Sequence, residues 1–167
     1  MSTTTATQMQ SPRIENGRQM LLAGLGGRYN RQTMHTIPQL WERFGPHIGH
    51  VPNQSGKVTY GVSYNPQPDH STFDYLAAVE VTKFAGLPTD FVQLTIPPLK
   101  YAIFLHTDHI SKITETLEKM WKSWLPASGH APAVASGCPI TFFERYDESF
   151  NPITGLGTVE LWLPIQP

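Results

Sequence analysis

Two stretches of this 167-residue chain repeat each other, and a repeated unit constrains the fold more than any single motif. Trp41, in Ile37-Pro-Gln-Leu-Trp41-Glu-Arg-Phe44, has a counterpart 80 positions on in Trp121, within Glu118-Lys-Met-Trp121-Lys-Ser-Trp124. Val79-Glu80-Val81 is matched at the same offset by Val159-Glu160-Leu161. Val58-Thr-Tyr60-Gly-Val-Ser-Tyr64 resembles Ile140-Thr-Phe142-Phe-Glu144-Arg-Tyr146 at an offset of 82. In that alignment Glu144 stands where the first copy has Val62. A doubled unit leaves a seam, and seams favour ligand clefts.

Each half reads strand, helix, strand, strand. Gln19 to Gly26 reads as a first strand ending at Gly24, Gly26 and Gly27. Ile37, Leu40, Trp41 and Phe44 recur at helical spacing, with Pro38 suited to the first turn and Thr36 to the cap. Lys57 to Tyr64 and Thr72 to Phe84 read as strands. Beyond the connection Gly86-Leu-Pro-Thr-Asp90 the order recurs: strand Lys100–Thr107, helix Asp108–Leu125 stopped by Pro126, and strands Pro139–Tyr146 and Leu156–Ile165. The expected fold is α+β, a duplicated β-α-β-β unit with an antiparallel sheet and two main helices on one side. Residues 1–17 are expected to be a disordered tail, and 18–167 one domain with repeats at 18–84 and 98–166. Trp41 and Trp121 are expected in the core.

Composition excludes several classes. A formal net charge of −1 gives no electrostatic reason to expect nucleic-acid binding. One cysteine, Cys138, rules out an internal disulfide and a multi-cysteine zinc site, and fits a reducing, cytoplasmic setting. No apolar run is long enough for a membrane span. His47/His50 and His106/His109 show no metal-site pattern, Gly24-Leu-Gly-Gly27 lacks the end of a phosphate loop, and no metal or cofactor is expected.

Strand parity suggests where chemistry lies. Val159, Leu161, Leu163 and Ile165 share one face of the last strand; Thr158, Glu160 and Trp162 share the other. Ile140, Phe142, Glu144 and Tyr146 lie together on the strand before it. A hairpin joining the two could bring Glu144, Glu160 and Trp162 onto one surface. Carboxylates on an aromatic wall suit an organic cation, and burial there would raise a glutamate pKa. The plainer alternative is a solvated ion pair with Arg145 or Lys57.

The ordered set Tyr60-Gly-Val62, Phe73-Asp-Tyr75-Leu-Ala-Ala-Val-Glu80-Val81, Tyr101-Ala-Ile-Phe104-Leu-His106, Trp124-Leu-Pro126, Phe143-Glu144-Arg-Tyr146 and Val159-Glu160-Leu-Trp162-Leu-Pro164 resembles the GyrI-like small-molecule-binding domain. That domain is the effector-binding part of AraC-type and multidrug-sensing bacterial regulators, and it also occurs alone. The resemblance covers about residues 18–165. It implies a ligand cleft where the two units meet, and ligands that are bulky and hydrophobic, cationic or aromatic. By motif position it makes Glu144 and Glu160 ligand-binding residues, with Tyr64, Tyr75, Tyr101, Tyr146 and Trp162 as walls. It also carries two alternatives. Some stand-alone relatives hydrolyse cyclopropane-type DNA-alkylating toxins with a glutamate, which would be Glu144 here, and the namesake modulates gyrase. Residues 1–17 are too short for a helix-turn-helix unit, so the expectation is a stand-alone binding protein without direct nucleic-acid contact.

Overall fold

The computed structural model describes residues 11–167. Its strands are β1 (Arg13–Asn16), β2 (Met20–Asn30), β3 (Gln54–Tyr64), β4 (Thr72–Val81), β5 (Val92–Ile96), β6 (Lys100–His106), β7 (Ile140–Tyr146) and β8 (Val159–Ile165). All pair antiparallel in one sheet of order β1-β6-β8-β7-β3-β4-β2-β5. The order mirrors itself about its middle: β3, β4, β2, β5 run outward one way, and β7, β8, β6, β1 the other. The expected duplication is thus visible in the sheet, and its seam in space is the β3–β7 pair. Residues 1–10 of the expected tail lie outside the described residues. Arg13–Asn16, also assigned to that tail, instead form β1, which edges the second half as β5 edges the first.

The sheet must curl. β5 ends at Ile96 and β6 starts at Lys100, yet six strand spacings separate them in the sheet. Laid flat that is roughly 29 Å, which a three-residue link of about 14 Å cannot span. Core packing agrees: Met20 and Ile96 from one end of the sheet share a cluster with Tyr101 and Ile103 from the other. That cluster, with Val62, Leu76 and Phe143, fills the concave face.

Both helices cover the other, convex face. α1 (Ile37–Phe44) buries Leu40 and Phe44 against residues of β2 and β4, including Ala23, Ala77 and Val79. α2 (Ile113–Lys119) continues through a wide π-type turn at Met120–Trp124 into α3 (Leu125–Ser128). Met120 and Leu125 pack there on Val159, Leu161 and Leu163, the β8 face expected to meet a helix.

Several local expectations are corrected. β2 does not stop at its glycines but runs to Asn30. A Cβ on Gly24 would collide with the Ala77 backbone, so the glycine serves close strand approach inside the sheet. Pro126 does not stop the helix. It has no N–H and would crowd the Lys122 carbonyl in a regular α-helix, and the wider π turn accommodates it. The helix ends instead at Gly129, whose φ of 79° is left-handed. Thr36 does not cap α1; its hydroxyl donates to the Thr33 carbonyl.

Candidate ligand-binding site

Glu144 lies at the seam, on β7, directly opposite Gly61 on β3. Its side chain is on the convex face, beside the territory of α1. Only 8% of the residue is exposed. Oε1 accepts hydrogen bonds from Tyr75 Oη (2.9 Å) and Tyr146 Oη (2.8 Å). Trp41 Nε1, reaching down from α1, donates to Tyr75 Oη at 3.1 Å. The rings brace one another: Trp41 meets Tyr146 edge-on with centroids 5.6 Å apart, and Tyr146 packs on Phe150 at 4.9 Å. Indole, phenol and carboxylate thus form a single relay that runs from the half-buried Trp41 to the buried Glu144.

Electrostatically the group is unusual. Burial pushes the Glu144 carboxyl above the ordinary carboxylate range, and the two phenol hydrogen bonds only partly restrain the rise. Among the described residues no cationic side chain contributes. Burial also lifts Tyr75 and Tyr146 well above an ordinary phenol, with the negative Glu144 adding to it, so both stay protonated and donating. Gly61 makes room for the arrangement. A Cβ there would collide with Tyr75 Oη and stand 2.7 Å from Glu144 Oε1.

Seven residues were expected at the site, and the structure divides them. Glu144, Tyr75 and Tyr146 come together. Glu160 and Trp162 do not join them. Arg145 is the direct partner of Glu160, and Phe143 of Trp162, so those four share the concave face while Glu144 shares the convex face with Leu161. Tyr101 and Tyr64 also belong to the concave core. Glu160 is held by its own partners: Arg13 at 3.2 Å, Arg145 at 3.4 Å and Trp162 Nε1 at 2.9 Å. Its repeat twin Glu80 is gripped by both guanidinium nitrogens of Arg18. Val62, aligned with Glu144 in the repeat, faces the concave core as well.

Two residues of the convex cluster were not anticipated. Trp41 was assigned to the core, but it is only half-buried and spends its N–H on Tyr75. Trp121 is likewise half-buried. It lines a cleft of about 720 Å³ together with Pro66, Pro68, Pro132 and Thr141. The Thr141 hydroxyl is buried and without a hydrogen-bond partner. Gly61 is the second omission; its place opposite Glu144 follows from a strand register that the repeat alignment misses by one residue. His106, 2% exposed, serves structure: it engages Thr116 and the His109 carbonyl through its two ring nitrogens. Among the described residues no group of three or more His, Cys, Asp or Glu side chains could hold a metal, and no helix is long and apolar enough to cross a membrane.

A curled, duplicated sheet with a buried carboxylate at its seam defines an α+β ligand-binding domain. The sequence profile of the GyrI-like small molecule binding domain matches residues 10–166, and the chain belongs to that family. It is 31% identical over 132 residues to the transcriptional regulator BrlR of Pseudomonas aeruginosa, a match covering 78% of this chain and 46% of that protein. The chain thus aligns with about half the length of that regulator. Among solved structures, SAV2435 bound to tetraphenylphosphonium superposes with a TM-score of 0.74 at 18% identity, covering 94% of each chain. An integron cassette protein from Vibrio cholerae superposes with a TM-score of 0.69 at 20% identity, covering 95% of this chain and 97% of its own. At those identities the likeness is one of fold.

Proposed function

We propose that this domain binds a hydrophobic organic cation at the β3–β7 seam, with Glu144 supplying the counter-charge and Trp41, Tyr75 and Tyr146 the aromatic surround. One observation carries the reading: a carboxylate with 8% of its residue exposed, held by two phenols and by no cation. Leaving a charge so placed is costly unless something neutralises it, and a lipophilic cation does so while its rings gain cation–π and apolar contact. The tetraphenylphosphonium in the structural neighbour SAV2435 is a ligand of that chemistry.

The test is calorimetric titration with tetraphenylphosphonium and with a neutral tetraphenyl analogue. Glu144→Gln should weaken the cation at least tenfold and leave the neutral compound nearly unchanged. Equal loss for both would remove the charge role. Because burial raises the Glu144 pKa, cation affinity should fall as pH drops through that raised value and the carboxyl takes up a proton.

A further inference from the structure

The concave face has a cleft of its own, and its chemistry is the reverse of the Glu144 site. About 330 Å³ in volume, it is walled by Tyr60, Tyr101, Phe143 and Trp162. Phe143 and Trp162 stack nearly parallel, with centroids 5.3 Å and planes 19° apart. Tyr101 meets the Trp162 ring edge-on at 4.9 Å. Three guanidinium groups stand at this cleft, those of Arg13, Arg18 and Arg145, against one lining carboxylate, Glu160.

That carboxylate is fully engaged. Oε1 accepts from Arg145 and Trp162, and Oε2 from Arg13. Arg18 is fixed by Glu80, and Arg13 also pairs with Glu15 at 3.2 Å; neither of these carboxylates is part of the lining. A guanidinium has five N–H donors, and Arg145 gives Glu160 a single long contact of 3.4 Å and also engages Tyr60, which leaves part of its fork unused. Donors for an incoming anion therefore remain, and the carboxylate that could repel it is already shared between two arginines. The Tyr101 phenol adds a second observation. Tyr101 is wholly buried in the lining, and its hydroxyl has no hydrogen-bond partner among the described residues.

We propose that this cleft is a second ligand site, for a flat aromatic carboxylate. The ring would lie against the partly exposed Trp162, which the buried Phe143 backs, and the carboxylate would take the charge-assisted hydrogen bonds of Arg145 and its neighbouring guanidiniums. The volume suits a one- or two-ring acid. Arg145 and Phe143 flank Glu144 on β7 and point to the opposite face, so the two sites lie back to back on one strand.

The experiment titrates the full chain with 2-naphthoate and with neutral 2-naphthamide, following backbone amides and the four indole N–H signals by NMR. Saturable naphthoate binding is expected to shift Phe143, Arg145 and the Trp162 indole, and to leave the Trp41 indole in place. Naphthamide should bind at least tenfold more weakly. Arg145→Gln should weaken naphthoate at least tenfold; Arg18→Gln, on an exposed side chain, gives the same reading at about threefold if the first variant fails to fold. The proposal is overturned by absence of saturable binding, by equal affinity for the amide, by shifts centred on Trp41, or by folded arginine variants that bind naphthoate unchanged.

Discussion

Glu144 and Glu160 stand on adjacent strands of one sheet, and the two faces treat them in opposite ways. On the convex face Glu144 meets two phenols, is nearly sealed from water and has no cation to balance it. On the concave face Glu160 lies between two arginines and an indole. Its charge is answered within the protein, so an added cation would have to displace a guanidinium. The same residue type is thus a buried acceptor for two phenols in one place and a partner of two arginines in the other. Pairing register decides which: Arg145 opposes Glu160, so Glu144 must point the other way.

The sharpest way to break the comparison is to fill the space under Glu144. In most strands alanine outperforms glycine. At Gly61 a Cβ collides with Tyr75 Oη and crowds Glu144 Oε1, so Gly61→Ala should separate the phenol from the carboxylate. Overpacking plus a strained buried hydrogen bond should cost about 2–4 kcal/mol in urea unfolding. Tetraphenylphosphonium affinity should fall with it. An unchanged or raised midpoint would mean that the close approach of Tyr75 and Glu144 does not depend on the glycine.

Glu144→Gln comes next in size, and its effect on stability should run against its effect on binding. The folded-state pKa of Glu144 is raised, so the fold favours the protonated carboxyl. Its contribution is complete below the unfolded-state value and is lost as pH rises through the folded value. Glutamine keeps an acceptor for the two phenols and carries no charge. The melting temperatures of the two proteins should therefore coincide near pH 4 and diverge towards pH 8, with the variant higher. For a chain of this size each kcal/mol released adds about 2–4 °C. A variant less stable at pH 8 than at pH 4, relative to the parent, would show that a cation inside the fold already neutralises Glu144.

Much of this was legible in the chain. The duplicated order of elements and the helix-facing side of β8 follow from periodicity, and comparing the two halves singles out Glu144 as the acid without a twin. The placement of Glu160 and Trp162 was not, because face-sharing depends on cross-strand register. Residues 147–158 join β7 to β8, a connection too long for turn type to set the register. The offset between repeats misled in the same way, since one residue of slip exchanges Gly61 for Val62 and one face for the other. Trp41 was hidden for a different reason. An amphipathic stripe marks the helix face that packs but not which member of it lies at the margin with its N–H free to bond.

Trp41→Phe probes that margin and should have a moderate effect. The ring stays against Tyr146, while the donor to Tyr75 Oη is lost. Stability should drop by about 1 kcal/mol, and tetraphenylphosphonium affinity by roughly two- to fivefold, because only the outermost link of the relay is removed. A loss as large as that of Glu144→Gln would make the indole, rather than the carboxylate, the principal contact.

The smallest effect is expected at Glu80, the repeat twin of Glu160. Its partner Arg18 is 69% exposed, so their bidentate pair works in water and is screened by salt. Glu80→Gln should cost under about 1 kcal/mol at low ionic strength and nearly nothing in 0.5 M salt. Tetraphenylphosphonium affinity should stay within twofold of the parent, since the substitution leaves the convex face untouched. A large, salt-independent loss of cation binding would mean that the two faces are coupled through β4, which carries Glu80 on one side and Tyr75 on the other. The division of labour between the two faces would then be a property of the whole sheet rather than of the β7–β8 register.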